Sequence, residues 1–205
     1  MHKNFLFELE FEQLVRMIGK FERSSIVEAF SGDPIAGQCF GILWDHIAPN
    51  GFPEYDLLLS NYLRGLWESA TFQTELRSVP WSQVYPFSEV CNASCSFCSA
   101  WLNKPRMLTT REMEGFLPLL PYAAYLGIEG FGEPTVNPQL DELLEMIGRH
   151  LDPRARAYVI TNGLLLRRKL DLFVHTGHIR GFQISLNAAS PETHDKVMNL
   201  GRGAF

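Results

Sequence analysis

Three cysteines fall within eight residues in Cys91-Asn92-Ala93-Ser94-Cys95-Ser96-Phe97-Cys98. Thiolates are soft ligands, and three of them at CxxxCxxC spacing on one loop can wrap an iron–sulfur cluster or a zinc ion. A [4Fe–4S] cluster held by three cysteines keeps one iron free of protein. Zinc held the same way needs a fourth donor. No histidine lies in or beside the loop to provide it. Cysteines this closely spaced do not form a disulfide framework, so they point to a metal and a reducing compartment. The fourth cysteine, Cys39, stands alone and reads as a small buried side chain.

A second polar group follows at Gly130-Phe131-Gly132-Glu133-Pro134, where the glycines let backbone approach a ligand and Glu133 offers a carboxylate to an ammonium group. Thr161-Asn162-Gly163 and Ser185-Leu186-Asn187 are further polar clusters, although Asn-Gly is equally a common turn pair. The elements around these clusters place them together. A strand over Val84–Val90 leads into the cysteine loop, with Pro86 marking an edge or strand start. A capping box at Thr109–Glu112 opens a helix through Met113, Phe116 and Leu120. Strands at Tyr125–Glu129, Ala157–Ile160 and Gly181–Leu186 alternate with helices over Pro138–His150 and Leu164–His175, and a further helix starts at Ser190. That alternation implies parallel βαβ units with right-handed crossovers. In a parallel α/β barrel the C-terminal ends of the strands share one mouth, and each of the four polar clusters sits at such an end.

CxxxCxxC with an aromatic residue just before the last cysteine resembles the cluster loop of radical S-adenosylmethionine (SAM) enzymes, matched by Cys91, Cys95, Phe97 and Cys98. The resemblance implies a (β/α)6 partial barrel. It also implies a [4Fe–4S] cluster on the three cysteines and SAM chelated by the open iron and cleaved to methionine and a 5′-deoxyadenosyl radical that abstracts hydrogen from substrate. Glu133 corresponds to the family's GGEP segment, which binds the methionine amine, with Phe131 in place of its first glycine. Ser185 and Asn187 correspond to the polar pair for the SAM carboxylate and ribose. Phe97 is expected over the adenine. Thr161 and Asn162 face substrate or SAM. An electron donor of flavodoxin or ferredoxin type is implied, and no catalytic side chain beyond cofactor binding stands out.

At ~30 residues per βα unit, Val84 to Phe205 holds four of the six units. The expected organisation is a mostly helical region over 1–80 and a radical SAM core over 81–205 that is incomplete at its C-terminus, as in a fragment. Helical stripes over 5–22, 26–30 and 55–76 make up the first region, which carries no catalytic signature. His46, beside Trp44, reads as packed structure.

Net charge is −5 from 18 basic and 23 acidic residues, with no basic block, which disfavours nucleic acid and favours a peptide or small-molecule substrate. No secretory signal opens the chain and no window approaches the ~18 apolar residues of a membrane span, so a cytoplasmic location is expected. A competing expectation is a non-enzymatic zinc or iron–sulfur module with structural or electron-transfer duties, for which Cys39 would be the fourth ligand. Replacing Cys39 by Ala separates the two, since loss of metal would favour the module.

Overall fold

The computed structural model describes Asp45 and residues 56–70, 72–99 and 104–200. The expected helices over 5–22 and 26–30, together with Cys39, His46 and Trp101, lie outside the described residues. By its internal contacts the chain divides into two compact units, Met1–Trp81 and Ser82–Phe205.

In the first unit, α1 spans Leu57–Ala70. Asp56 starts it by accepting from the Leu59 N–H at 3.0 Å, the N-cap role that short acceptor side chains favour. Leu63 and Trp67, one turn apart, are buried on one face. Glu68 and Asn61 are buried too, and each is satisfied locally. The Glu68 carboxylate accepts from the backbone N–H of Arg77 and Ser78 and from the Ser78 hydroxyl. Asn61 bonds both the carbonyl and the N–H of Val79 at 2.8 Å.

The second unit is α/β. Its four strands, β1 (Ser82–Tyr85), β2 (Tyr125–Ile128), β3 (Arg156–Thr161) and β4 (Ile179–Ile184), form one parallel sheet in sequence order. Tyr85 pairs with Ile128, Ile128 with Val159 and Thr161 with Ile184, so the C-terminal ends of the strands sit side by side. Among the described residues its α-helices are α2 (Thr110–Glu114), α3 (Leu140–His150), α4 (Leu166–His175) and α5 (Pro191–Met198). Parallel βα units are what the alternation of elements implies, and a four-stranded parallel sheet of this order is consistent with the partial barrel that the family resemblance implies.

One face of the sheet carries the core. Leu126 and Ile128 of β2 and Ala157 and Val159 of β3 are buried there with Leu140, Leu143, Leu144 and Ile147 of α3 and Phe173 of α4. The four α3 residues follow the i, i+3, i+4, i+7 stripe, and each fully buried aliphatic side chain stabilises the fold by on the order of 2 kcal/mol. The Thr109 capping box is present in both halves: its hydroxyl accepts from the Glu112 N–H and Glu112 accepts from the Thr109 N–H.

Three elements differ from expectation. The first strand ends at Tyr85 rather than Val90, because Pro86 has no N–H to continue the ladder. The helix opened by the capping box is short and gives way to a 3-10 helix at Leu117–Tyr122, a segment holding Pro118 and Pro121. The fourth strand runs Ile179–Ile184, two residues earlier than expected, so that Ser185, Leu186 and Asn187 lie beyond it. Among the described residues no helix is long and apolar enough to cross a membrane.

Candidate cluster and cofactor site

The cysteine loop is an irregular excursion whose two ends are tied together. Before it, residues 87–89 run antiparallel to residues 106–108 after it: Leu108 N–H donates to the Phe87 carbonyl at 3.1 Å and Glu89 N–H to the Arg106 carbonyl at 2.8 Å, around a bridge between Ser88 and Met107. Asn137, buried, locks this pair by donating to the carbonyls of both Phe87 (2.6 Å) and Leu108 (2.9 Å). Sequence reasoning passed over Asn137.

From β2 the Gly-Phe-Gly-Glu segment crosses the same root. Gly132 N–H donates to the Ser88 carbonyl at 3.0 Å and Glu133 N–H to the Val90 carbonyl at 2.8 Å. A Cβ on Gly132 would stand 2.3 Å from the Val90 oxygen and 2.5 Å from that of Ser88. The glycine therefore admits the backbone of the cysteine loop, a close approach different in object from the ligand approach expected of it.

Every site residue proposed from the sequence lines one open cleft of about 180 Å³: Cys91, Cys95 and Cys98 with Phe97 on the loop, Gly130, Gly132 and Glu133 after β2, Asn162 after β3, and Ser185 and Asn187 after β4. Thr161, Ile160, Phe131 and Met198 line it too. Phe97 is 64% exposed. Glu133, expected as an open carboxylate, is only 2% exposed. One of its oxygens accepts from the Thr135 N–H, the Thr135 hydroxyl and the Thr161 hydroxyl, and the other accepts from the Asn162 N–H at 2.7 Å. Among the described residues no Lys, Arg or His pairs with it, so its charge is met by neutral donors alone.

The three cysteines form no disulfide and are half-buried. Burial pushes the Cys91 thiol above its ordinary value, and the Glu133 carboxylate adds to the rise, against the backbone at Ala93 and the Asn162 amide, which lower it. Burial likewise raises Cys95, helped by the negative charge that Cys91 and Cys98 would carry. Asn162 also reaches Asn92 at 2.7 Å, tying the end of β3 to the cysteine loop. The Met198 sulfur lies 3.2 Å from that of Cys95 and accepts from the Asn187 amide at 2.9 Å. Met198 was missed because nothing in its local sequence distinguishes it from a core methionine.

Residues 85–205 match the Radical SAM superfamily. The chain belongs to the radical SAM superfamily. It is a superfamily of enzymes, and it implies a [4Fe–4S] cluster, SAM, a reductant and a substrate. Among solved structures, the one described as BtrN in complex with AdoMet and 2-DOIA is similar to this radical SAM chain at 21% identity and a TM-score of 0.47, covering 62% of this chain and 54% of that one. The chain thus spans about half the length of that protein. No curated protein matches.

Three thiols line one cleft and repel one another when ionised, which positive iron relieves. Among the described residues no three His, Cys, Asp or Glu side chains converge on a single-ion site. Three soft thiol donors on one cleft are a donor set of the kind that iron–sulfur clusters take.

Proposed function

We propose that Cys91, Cys95 and Cys98 hold a [4Fe–4S] cluster and that the remaining cleft residues hold SAM against it. Bound together, these groups supply one-electron reductive cleavage of SAM and, through it, hydrogen abstraction from a substrate. The observation that carries this reading is that the three thiols and the buried Glu133 carboxylate line one cleft at the C-terminal ends of the strands.

Glu133 lines the cleft and is held in place by Thr135, Thr161 and the Asn162 N–H, and its carboxylate is the group proposed to meet the SAM ammonium. Ser185 and Asn187 border the same cleft and supply a hydroxyl and an amide for carboxylate and ribose oxygens. Asn162 also borders a second, more apolar groove of about 490 Å³ flanked by Ile184, Leu186 and Leu170. That groove offers apolar surface beside the cleft, and Phe97, exposed on the cleft itself, is the residue over which the adenine would lie. A peptide or small-molecule substrate and a flavodoxin- or ferredoxin-type donor complete the reading, the former favoured by the net charge of −5.

The test is anaerobic reconstitution with iron and sulfide, followed by electron paramagnetic resonance of the dithionite-reduced protein with and without SAM. A reduced [4Fe–4S] signal that changes when SAM is added is expected. A cluster indifferent to SAM, or tight binding of zinc alone, overturns the proposal.

A further inference from the structure

The last turn of α5 lies on the cysteine loop in a three-step antiparallel match. The Asn199 amide donates to the Ser94 hydroxyl at 2.8 Å, Met198 meets Cys95 sulfur to sulfur at 3.2 Å, and the Ser96 N–H donates to the Val197 carbonyl at 3.0 Å. The turn is itself rigidly closed. Leu200 N–H donates to the Asp195 carbonyl and Asn199 N–H to that of Lys196, the two bonds of a Schellman ending, with Asn199 left-handed at φ 53°. Met198 is 1% exposed, and its sulfur accepts from both the Cys95 thiol and the Asn187 amide. The middle cysteine and a cleft residue from the end of β4 therefore share one acceptor.

We propose that the end of α5 is a clamp that shapes the cysteine loop, with Met198 the positioning residue that sets the Cys95 sulfur and the Asn187 amide relative to each other. The inference rests on the proposed cluster site for its purpose, but the clamp itself is a property of the metal-free chain. Ser94 to Ser96 have no helix or strand of their own to hold them. A thioether suits the place: it is flexible enough to fill the gap, and it accepts weakly from soft and amide donors.

The experiment uses the full chain, purified without metal, and follows alkylation of each cysteine by iodoacetamide with mass spectrometry. Met198→Leu keeps volume and apolarity and removes the acceptor. Cys95 is expected to react about two- to five-fold faster in this variant, the effect of losing one weak contact, with Cys91 and Cys98 unchanged. Asn199→Gly keeps the left-handed turn and deletes the tie to Ser94, so a smaller rise at Cys95 is expected. It decides the matter if Met198→Leu does not fold. After reconstitution, Met198→Leu should also alter the reduced cluster's paramagnetic resonance line shape. An unchanged Cys95 rate in a folded variant, or equal acceleration of all three cysteines, overturns the clamp. If wild type takes up no cluster, the proposed function fails while the alkylation result still decides the clamp.

Discussion

Glu133 is a buried carboxylate whose hydrogen bonds come from neutral donors, and in the proposed site it meets the SAM ammonium. Three contacts go to one oxygen and one to the other, from Thr135, Thr161 and the Asn162 N–H. Glu133→Gln turns one acceptor oxygen into an NH2 group, which then faces a donor. A buried donor set left unsatisfied costs about 1–3 kcal/mol, and that loss is expected in the denaturant midpoint. SAM affinity of the reconstituted protein, read by calorimetric titration, should fall at least about ten-fold with the loss of a charge-assisted contact. Thr161→Val removes one of the four contacts and should cost about 1 kcal/mol, with a smaller effect on SAM. If Glu133→Gln binds SAM as wild type does, Glu133 is structural only. Glu112 sets a separate, pH-dependent expectation. Hydrogen bonds from the Thr109 backbone and hydroxyl, and then from the Arg106 guanidinium, hold its carboxyl below the ordinary 4.5. The depressed value means that its stabilising contribution is present above 4.5 and is lost as pH falls through the folded-state value. Denaturant midpoints measured from pH 7 to pH 3 should fall less steeply in Glu112→Gln, whose amide still caps.

At the scale of elements, the glycines of β2 and of the segment after it separate tight backbone contacts from tolerant ones. A Cβ at Gly132 meets carbonyl oxygens of Val90 and Ser88, which are fixed by the antiparallel ties at the base of the cysteine loop. At Gly127 it meets the phenol end of Tyr158, at 2.8 Å, and a side-chain end can swing away. Gly132→Ala should therefore cost about 1–3 kcal/mol or more and lower iron retained per chain, whereas Gly127→Ala should leave iron content unchanged. Parity of the two variants would mean that the loop root is not held by this crossing. The same distinction explains what was legible in the sequence. The Thr109–Glu112 box and the Leu140, Leu143, Leu144, Ile147 stripe are local patterns, and the structure carries both. The four strands and the placement of polar clusters at their ends follow from alternation, which local periodicity also encodes. Strand limits shifted because ladder pairing decides where a strand stops: Pro86 ends the pairing of β1, and the pairing of β4 with β3 ends at Ile184. The burial of Glu133 and the meeting of Met198 with Cys95, 103 residues apart, are tertiary facts with no local pattern.

For the molecule as a whole, the two compact units make a ligand's effect on stability a map of where it binds. All the cleft residues fall in Ser82–Phe205. A ligand that binds only the folded state stabilises the unit that holds it, by about 2.7 kcal/mol at one hundred times its dissociation constant. For a unit of this size that is on the order of 10 °C in melting temperature. Calorimetry of the reconstituted protein should thus resolve two transitions, of which SAM raises one. In Cys98→Ala, or in iron-free protein, SAM should move neither, because the open iron is its principal anchor in the proposed site. A shift of equal size without iron would mean that SAM binds through Glu133, Ser185 and Asn187 alone. Movement of both transitions together would mean that the two units unfold as one, and the division into separate domains would be withdrawn.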